Sequence, residues 1–326
     1  MATIRDVAEL AEVSVATVSR VLNNNGDVSE EKTKRVQQAA KKLGYTIAHP
    51  SSSKRITVMA LLPNSVKDFY DDIIKGIQEV TKREGFDLII GVCNNNRFVE
   101  AEHIEKLVDG SVSAIILFGS FLRSEEIEDL NKKYNVAVCC ECIEGASVLS
   151  VVIDMRQAAY DAVTHLIKKG HKNIGLISTV TRAWSTIEKE KGYRRALLDN
   201  GLEYKEEYIF FGDFDNKSGL FSLGYFDSLE TPPTAIFAVS DNLALGAIKA
   251  AINKGLNIGE DIAIIGFDDT ILCSLYNPSI SSVTQPRYEI GKTVMEKLAE
   301  NINGSARCTD TIYLPHKLTL RKSSGD

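Results

Sequence analysis

Residues 1–23 read Met-Ala-Thr-Ile-Arg-Asp-Val-Ala-Glu-Leu-Ala-Glu-Val-Ser-Val-Ala-Thr-Val-Ser-Arg-Val-Leu-Asn. The spacing predicts two short helices joined by a tight turn. Thr3 caps the first, with Asp6 three residues on as its acidic partner. Val7, Leu10 and Ala11 then recur at helical spacing. Ser14 opens the second helix, whose apolar side is Val18, Val21 and Leu22. Between these lie short polar groups and one long cation: Thr17, Ser19, Arg20 and Asn23. A helix that packs on one side and meets phosphates and base edges on the other needs this mixture. The pattern is that of a helix-turn-helix, with the second helix as candidate reader of the major groove. An ordinary helical hairpin is the alternative. A third helix is expected from about Ser29 to Leu43, with Val36, Ala39, Ala40 and Leu43 as its packed stripe and Gly44 as its stop. Its outer face carries Lys32, Lys34, Arg35, Lys41 and Lys42.

Charge is divided unevenly along the chain. The whole carries 38 Lys and Arg against 44 Asp and Glu, net −6, which argues against a bulk nucleic-acid binder. Residues 1–57 hold nine basic groups against six acidic ones, net +3, and the remainder holds 29 against 38, net −9. A basic head on an acidic body points to contact with DNA through the head alone. At 326 residues the chain suits a head plus a body of one or two lobes, and 44% hydrophobic residues suffice for a packed core. There is no charged-then-apolar N-terminal segment and no apolar run near membrane-spanning length, so a cytoplasmic location is expected. The six cysteines are then expected to be free thiols. The Cys-Cys-Glu-Cys cluster at 139–142 lacks a second ligand pair and reads as a strand end rather than a metal site.

After a linker rich in Ser around Pro50, strand and helix signals alternate. Ile56–Leu62 is an apolar run, followed by a helix over about 68–84. Strands are expected at 87–92, 114–118 and 136–140, with helices over about 99–108 and 124–133 between them. The cycle restarts with strands at 151–153, 174–178, 208–211, 235–239 and 263–267. Helices are expected at 155–169, 187–200, 217–228 and 241–254. Apolar strands alternating with amphipathic helices mean parallel sheets covered on both faces. Two such series imply two doubly wound lobes, and ligands of such sheets sit at the carboxyl ends of the strands. Candidate contacts are therefore Phe69, Tyr70, residues 94–97, Glu141, residues 182–185, Phe214, Ser240, Asp241, Asp268, Asp269 and Gln285. Trp184, the only tryptophan, is placed in the loop after the 174–178 strand, where an indole offers an apolar face and one N–H donor to a ring.

Enzyme readings fail on detail. Gly170 to Gly175 has phosphate-loop spacing, but Leu176 and Ile177 stand where Lys and Ser or Thr are required. The five histidines show no metal pairing, and no nucleophile–base pair is legible. Neither a catalytic residue nor a cofactor is expected.

Several stretches together resemble the lactose/galactose repressor family. They are 4–14 and 16–23, Gly-His-Lys-Asn-Ile-Gly at 170–175, Pro-Thr-Ala-Ile-Phe at 233–237, Ser-Asp-Asn-Leu-Ala-Leu-Gly at 240–246 and Ile-Ile-Gly-Phe-Asp-Asp-Thr at 264–270. The resemblance covers nearly the whole chain in order. It implies an all-α helix-turn-helix head at 1–45, a linker at 46–57 and a periplasmic-binding-protein-like body at 58–326. The body's two lobes would be about 58–155 with 286–313, and 156–285 with 314–326. It also implies a dimeric transcription regulator, a pseudo-palindromic double-stranded operator and a small effector held between the lobes. On the matching positions Val15, Ala16 and Arg20 read bases, and Thr3, Ser14, Thr17, Ser19 and Asn23 contact phosphates. Phe69, Tyr70, Glu141, Ser185, Lys189, Phe214, Ser240, Asp268 and Gln285 fall at or near effector-lining positions, with Trp184 beside them.

The chain departs from the family in two places. The segment after Gly44-Tyr45 lacks the Leu that wedges the minor groove. Lys189 stands where sugar-responsive members often carry Arg, whose planar two-bond grip a Lys cannot make. The effector class thus stays open between a sugar or sugar phosphate, a nucleoside and a protein corepressor. A cytoplasmic sugar-sensing protein is the alternative function. The chain ends at Asp326 without a leucine-repeat tail, which favours a dimer over a tetramer.

Overall fold

The computed structural model describes residues 3–22, 28–43, 55–63, 68–305 and 307–326. Asn23 and most of the expected linker lie outside the described residues. The chain divides into two compact units, residues 1–55 and 56–326.

The first unit contains α1 (Ile4–Leu10), α2 (Val15–Leu22) and α3 (Glu30–Leu43). Thr3 caps α1 in a capping box. Its N–H donates to Asp6 Oδ2 at 2.7 Å, and the Asp6 N–H donates back to Thr3 Oγ1. The Thr3 N–H first and then the Thr3 hydroxyl, both donating to Asp6 Oδ2, hold the Asp6 carboxyl below its ordinary range. The core is Val7, Ala8, Ala11, Val18, Val36, Ala39 and Ala40. Leu10, expected inside, is 43% exposed. On a helix it lies about 100° round from the centre of the Val7–Ala8–Ala11 arc, so small Ala8 takes the contact instead. Leu43, at the last turn of α3, is exposed as well.

The second unit has two six-stranded sheets. The first runs β11-β5-β4-β3-β1-β2, with β1 (Thr57–Leu62), β2 (Asp87–Val92), β3 (Ala114–Leu117), β4 (Asn135–Cys139), β5 (Leu149–Ile153) and β11 (Thr311–Leu314), all parallel. Both faces are covered, so β1 is apolar without alternation. Val58, Ala60 and Leu62 pack with Ile73, Ile77 and Val80 of α4 (Asp68–Glu84) and Ile290, Val294 and Leu298 of α12 (Arg287–Ile302). Met59 and Leu61 pack with Ile104 and Leu107 of α5 (Arg97–Val108) and Ile127 of α6 (Ser124–Lys133). Helices α4 and α12 cross on Gly76 and Gly291. A Cβ at Gly291 would enter the van der Waals shell of the Ile73 carbonyl oxygen.

The second sheet runs β12-β10-β9-β8-β6-β7, with β6 (Ile174–Thr179), β7 (Ile209–Gly212), β8 (Ala235–Ala238), β9 (Ala263–Asp268), β10 (Ser281–Thr284) and β12 (Lys317–Thr319). Among the described residues of this sheet only the β10–β12 pair is antiparallel. Helices α7 (Met155–Lys168) and α8 (Trp184–Asp199) pack on one another, as do α9 (Asn216–Asp227) and α10 (Asp241–Asn253). A short α11 (Ile271–Leu275) follows β9. The chain passes between lobes three times: after β5, between β10 and α12, and between β11 and β12. No helix among the described residues is long and apolar enough to cross a membrane.

Candidate functional site

In the head, Ser14 Oγ accepts from the Thr17 N–H at 3.2 Å and lies 2.9 Å from Thr17 Oγ1, which caps the start of α2. Val18 is buried against α1 and α3, and this turns Ser14, Val15, Ala16 and Arg20 outward. Thr17 and Ser19 flank that face half-buried. One exposed face thus carries a guanidinium, a branched apolar group and a methyl. These are the chemical types that read guanine edges and thymine methyls.

Arg35 does not stand with the exposed lysines of α3. It is tied inward, to the Ala11 carbonyl and to Glu12. Glu12 sits in the turn between α1 and α2 at φ 53°, in the left-handed region.

In the body, the strand ends of both lobes surround a cavity of about 690 Å³. Phe69, Tyr70, Glu141, Trp184, Ser185, Lys189, Phe214, Ser240, Asp268 and Gln285 all line it. Phe69 and Tyr70, in the first turn of α4, stand edge to face with centroids 5.2 Å apart, and Tyr70 meets Phe118 in the same way. Trp184 is the first residue of α8 rather than a loop residue. The helix starts three residues earlier than the sequence pattern implies, because its cap comes from elsewhere. Ala183 at the cap position has no side-chain bond. Glu141, just beyond β4 in the other lobe, accepts instead from the Ser185 N–H at 2.9 Å and the Ser185 hydroxyl at 2.5 Å. Burial pushes the Glu141 carboxyl up, while these bonds and the Lys189 charge oppose the rise.

The floor of the cavity is a buried charge cluster. Lys189 Nζ donates to the Val239 carbonyl at 3.1 Å and stands 3.9 Å above the Phe267 ring. Burial pulls its pKa down, against the pull of Asp268, Glu141 and Asp241. Asp268 ends β9 at φ 108° and accepts from Gln285 Nε2 at 2.8 Å. Burial pushes its carboxyl up to about 7, against Lys189. Gln285 is 4% exposed, and its Oε1 is buried without a protein partner among the described residues. A buried acceptor of this kind fits a donor on a ligand. Ser240 also has a structural task, since its Oγ caps α10 by accepting from the Leu243 N–H. Asp241 is taken up by Ser282 and Thr270.

Asp269, expected beside Asp268 in the site, is absent from the cavity lining. Its carboxylate is held by Arg321 at 2.7 Å and the Thr284 hydroxyl at 2.8 Å. Conversely, Phe118, Ser120, Phe121, Glu100 and Cys140 line the cavity and were not among the candidates. The strand-end rule reaches Phe118 to Phe121, which follow β3. Glu100 is brought in by α5, where it accepts from the Ser120 hydroxyl and the Phe121 N–H. The six cysteines are all free thiols, and Cys139 and Cys140 approach to 3.8 Å between sulfurs.

Residues 3–47 match the family described as bacterial regulatory proteins, lacI family, and residues 163–324 match a periplasmic binding protein-like domain. The chain is 35% identical over 328 residues to catabolite control protein A of Priestia megaterium, covering 99% of each chain. It is 32% identical over 329 residues to the HTH-type transcriptional repressor CytR of Escherichia coli, covering 99% of this chain and 96% of that protein. A solved structure of the transcriptional regulator CelR with cellobiose is similar at 27% identity and a TM-score of 0.75, covering 99% of this chain and 100% of that one. With a helix-turn-helix head on a body of two parallel-sheet lobes around a ligand-sized cleft, the chain belongs to the lacI family of bacterial regulatory proteins, as a DNA-binding transcriptional regulator.

Proposed function

We propose that this chain is a cytoplasmic homodimeric repressor whose two heads read a pseudo-palindromic operator and whose cleft binds one small effector per protomer. In this reading α2 enters the major groove. Arg20 donates to a guanine edge, and Val15 and Ala16 meet thymine methyls. Thr3, Ser14, Thr17, Ser19 and Asn23 hold phosphates. The effector is a hydroxylated ring compound: a sugar, a sugar phosphate or a nucleoside. Aromatic faces at Phe69, Trp184 and Phe214 suit the ring, and Asp268, Gln285 and Glu141 suit its donors. No catalytic step is assigned, in keeping with relatives named as regulators.

The observation that carries the reading is the convergence of acceptors and aromatic rings from both lobes on one cavity, with the buried Gln285 Oε1 left for a ligand donor. Effector binding that favours one lobe arrangement over another shifts operator affinity by the difference in its affinity for the two. A thermal-shift screen of sugars, sugar phosphates and nucleosides tests the body, because a ligand at 100 times its dissociation constant adds about 2.7 kcal/mol. Gel-shift titration of DNA from the chain's own upstream region, with and without the compound found, tests the link to the head. A stabilising compound that leaves operator affinity unchanged removes it as the effector.

A further inference from the structure

We propose that Glu141 excludes anionic effectors from the cleft by occupying, from the opposite lobe, the anion site at the head of α8. The inference rests on the reading of the cleft as the effector site, and it narrows the effector to compounds without phosphate or carboxylate.

Helix α8 is 16 residues long. The first N–H groups of any helix lack intrahelical partners and carry partial positive charge, so they attract anions. Most helices meet that need with a Ser, Thr, Asp or Asn at the cap, and α8 has Ala183. Glu141 supplies the missing group across the cleft, with one oxygen on the Ser185 N–H and the other on its hydroxyl. The place that a phosphate or carboxylate would take is thus filled by the chain's own carboxylate.

The rest of the cavity does not compensate for a second anion. Gln285, nearly fully buried, presents an unpartnered carbonyl oxygen, an acceptor that wants a donor. Asp268 adds a buried carboxylate to the same floor. Of the two cations that line the cavity among the described residues, Lys189 is engaged by the Val239 carbonyl and Arg182 by both oxygens of Glu190 at 2.9 Å. An anionic ligand that displaced Glu141 would leave that carboxylate without its donors in a low-dielectric site, a costly outcome. A neutral polyol or nucleoside, by contrast, can donate to Asp268 and Gln285 and leave Glu141 in place.

The test follows thermal unfolding and Trp184 emission of full-length wild type and Glu141→Ala. Inorganic phosphate and glucose 6-phosphate are titrated against sodium chloride at matched ionic strength, and wild type controls for the general stabilisation that phosphate gives any fold. Trp184 emission of Glu141→Ala is expected to saturate at about tenfold lower anion concentration than in wild type, equivalent to ~1.4 kcal/mol. Ala183→Asp added to Glu141→Ala restores a carboxylate to the helix head and abolishes the gain. Glu141→Gln keeps a hydrogen-bonding group on Ser185 without the charge, and it gives a smaller gain in the same direction, so the test survives a folding defect in Glu141→Ala. Wild type binding glucose 6-phosphate as tightly as the variants overturns the proposal. So does an absence of gain in both variants, or a gain that persists with Ala183→Asp. The effector reading itself fails separately, when no compound that shifts Trp184 emission alters operator affinity.

Discussion

Arg35 donates from Nη2 to the backbone carbonyl of Ala11 at 2.7 Å, fastening α3 to the end of α1. The same nitrogen reaches Glu12 Oε2 at 3.0 Å. Glu12 holds a left-handed conformation in the turn between α1 and α2. A cation on the last carbonyls of a helix satisfies groups that have no intrahelical acceptor role left. The Glu12 pair is largely exposed and adds little. Arg35→Ala is therefore expected to weaken the head by about 1 kcal/mol through the lost carbonyl bond. Hydrogen exchange on the full chain checks this: amides of α1 to α3 should exchange about fivefold faster, with body amides unchanged. Glu12→Gly should act in the opposite sense by relieving the backbone cost of a side chain in that region.

The side chain of Arg20 lies on the exposed face of α2, so its proposed part in operator binding is one of recognition rather than folding. Arg20→Ala should cost roughly 1–3 kcal/mol per half-site and relax base preference at one position. Thermal unfolding of the variant should match wild type. Full affinity with unchanged preference would show that another residue reads the base.

Trp184 sits at the start of α8, next to the Ser185 that Glu141 holds. A compound that enters the cavity should change its emission saturably. Trp184→Ala should weaken that compound while leaving effector-free operator affinity in place. Undiminished binding to Trp184→Ala, measured by calorimetry, would move the compound to another site.

Protonation of Asp268 sets a pH dependence. Its carboxyl is pushed up to about 7 in the fold, burial being the first cause, against an ordinary value of 3.8. The folded state therefore holds this proton more tightly than the unfolded chain. Its contribution to stability is present below the ordinary carboxyl range and is lost as pH rises through about 7. Effector binding runs the other way. A donor-rich ligand needs the ionised acceptor, so affinity should strengthen as pH rises through the same window, and Asp268→Asn should flatten both profiles. Urea denaturation without effector across that window measures the stability profile, and calorimetric titration measures the affinity profile. A pH-independent affinity in wild type would exclude Asp268 as the acceptor.

The head was legible from local chemistry because each of its signals is local. Thr3 and Asp6 lie three residues apart in one capping box, and Val18 falls on the inner face by helical period alone. The alternating strands and helices of the body were legible for the same reason, and the strand-end rule led to Phe69, Trp184, Asp268 and Gln285. What one helix turn cannot encode is which of its faces the neighbours choose. Leu10 was misplaced because Ala8 lets α1 approach its partners on a different arc. Arg35 was misplaced because its acceptor is 24 residues away.

Sequence by itself determined the architecture, since hydrophobic period, capping residues and turn signals act within a few residues of one another. Only tertiary structure decided the chemistry of the cleft. Asp268 and Asp269 are adjacent and identical in type, yet one faces the cavity and the other is consumed by Arg321 and Thr284. Ser240 and Asp241 spend their oxygens on α10 and the loop after β9. Glu141 and Ser185 are 44 residues apart and belong to different lobes, but together they cap one helix. Burial, field and hydrogen-bond partner depend on which chain segments meet, and that depends on two sheets folding around three crossings rather than on any short stretch of residues.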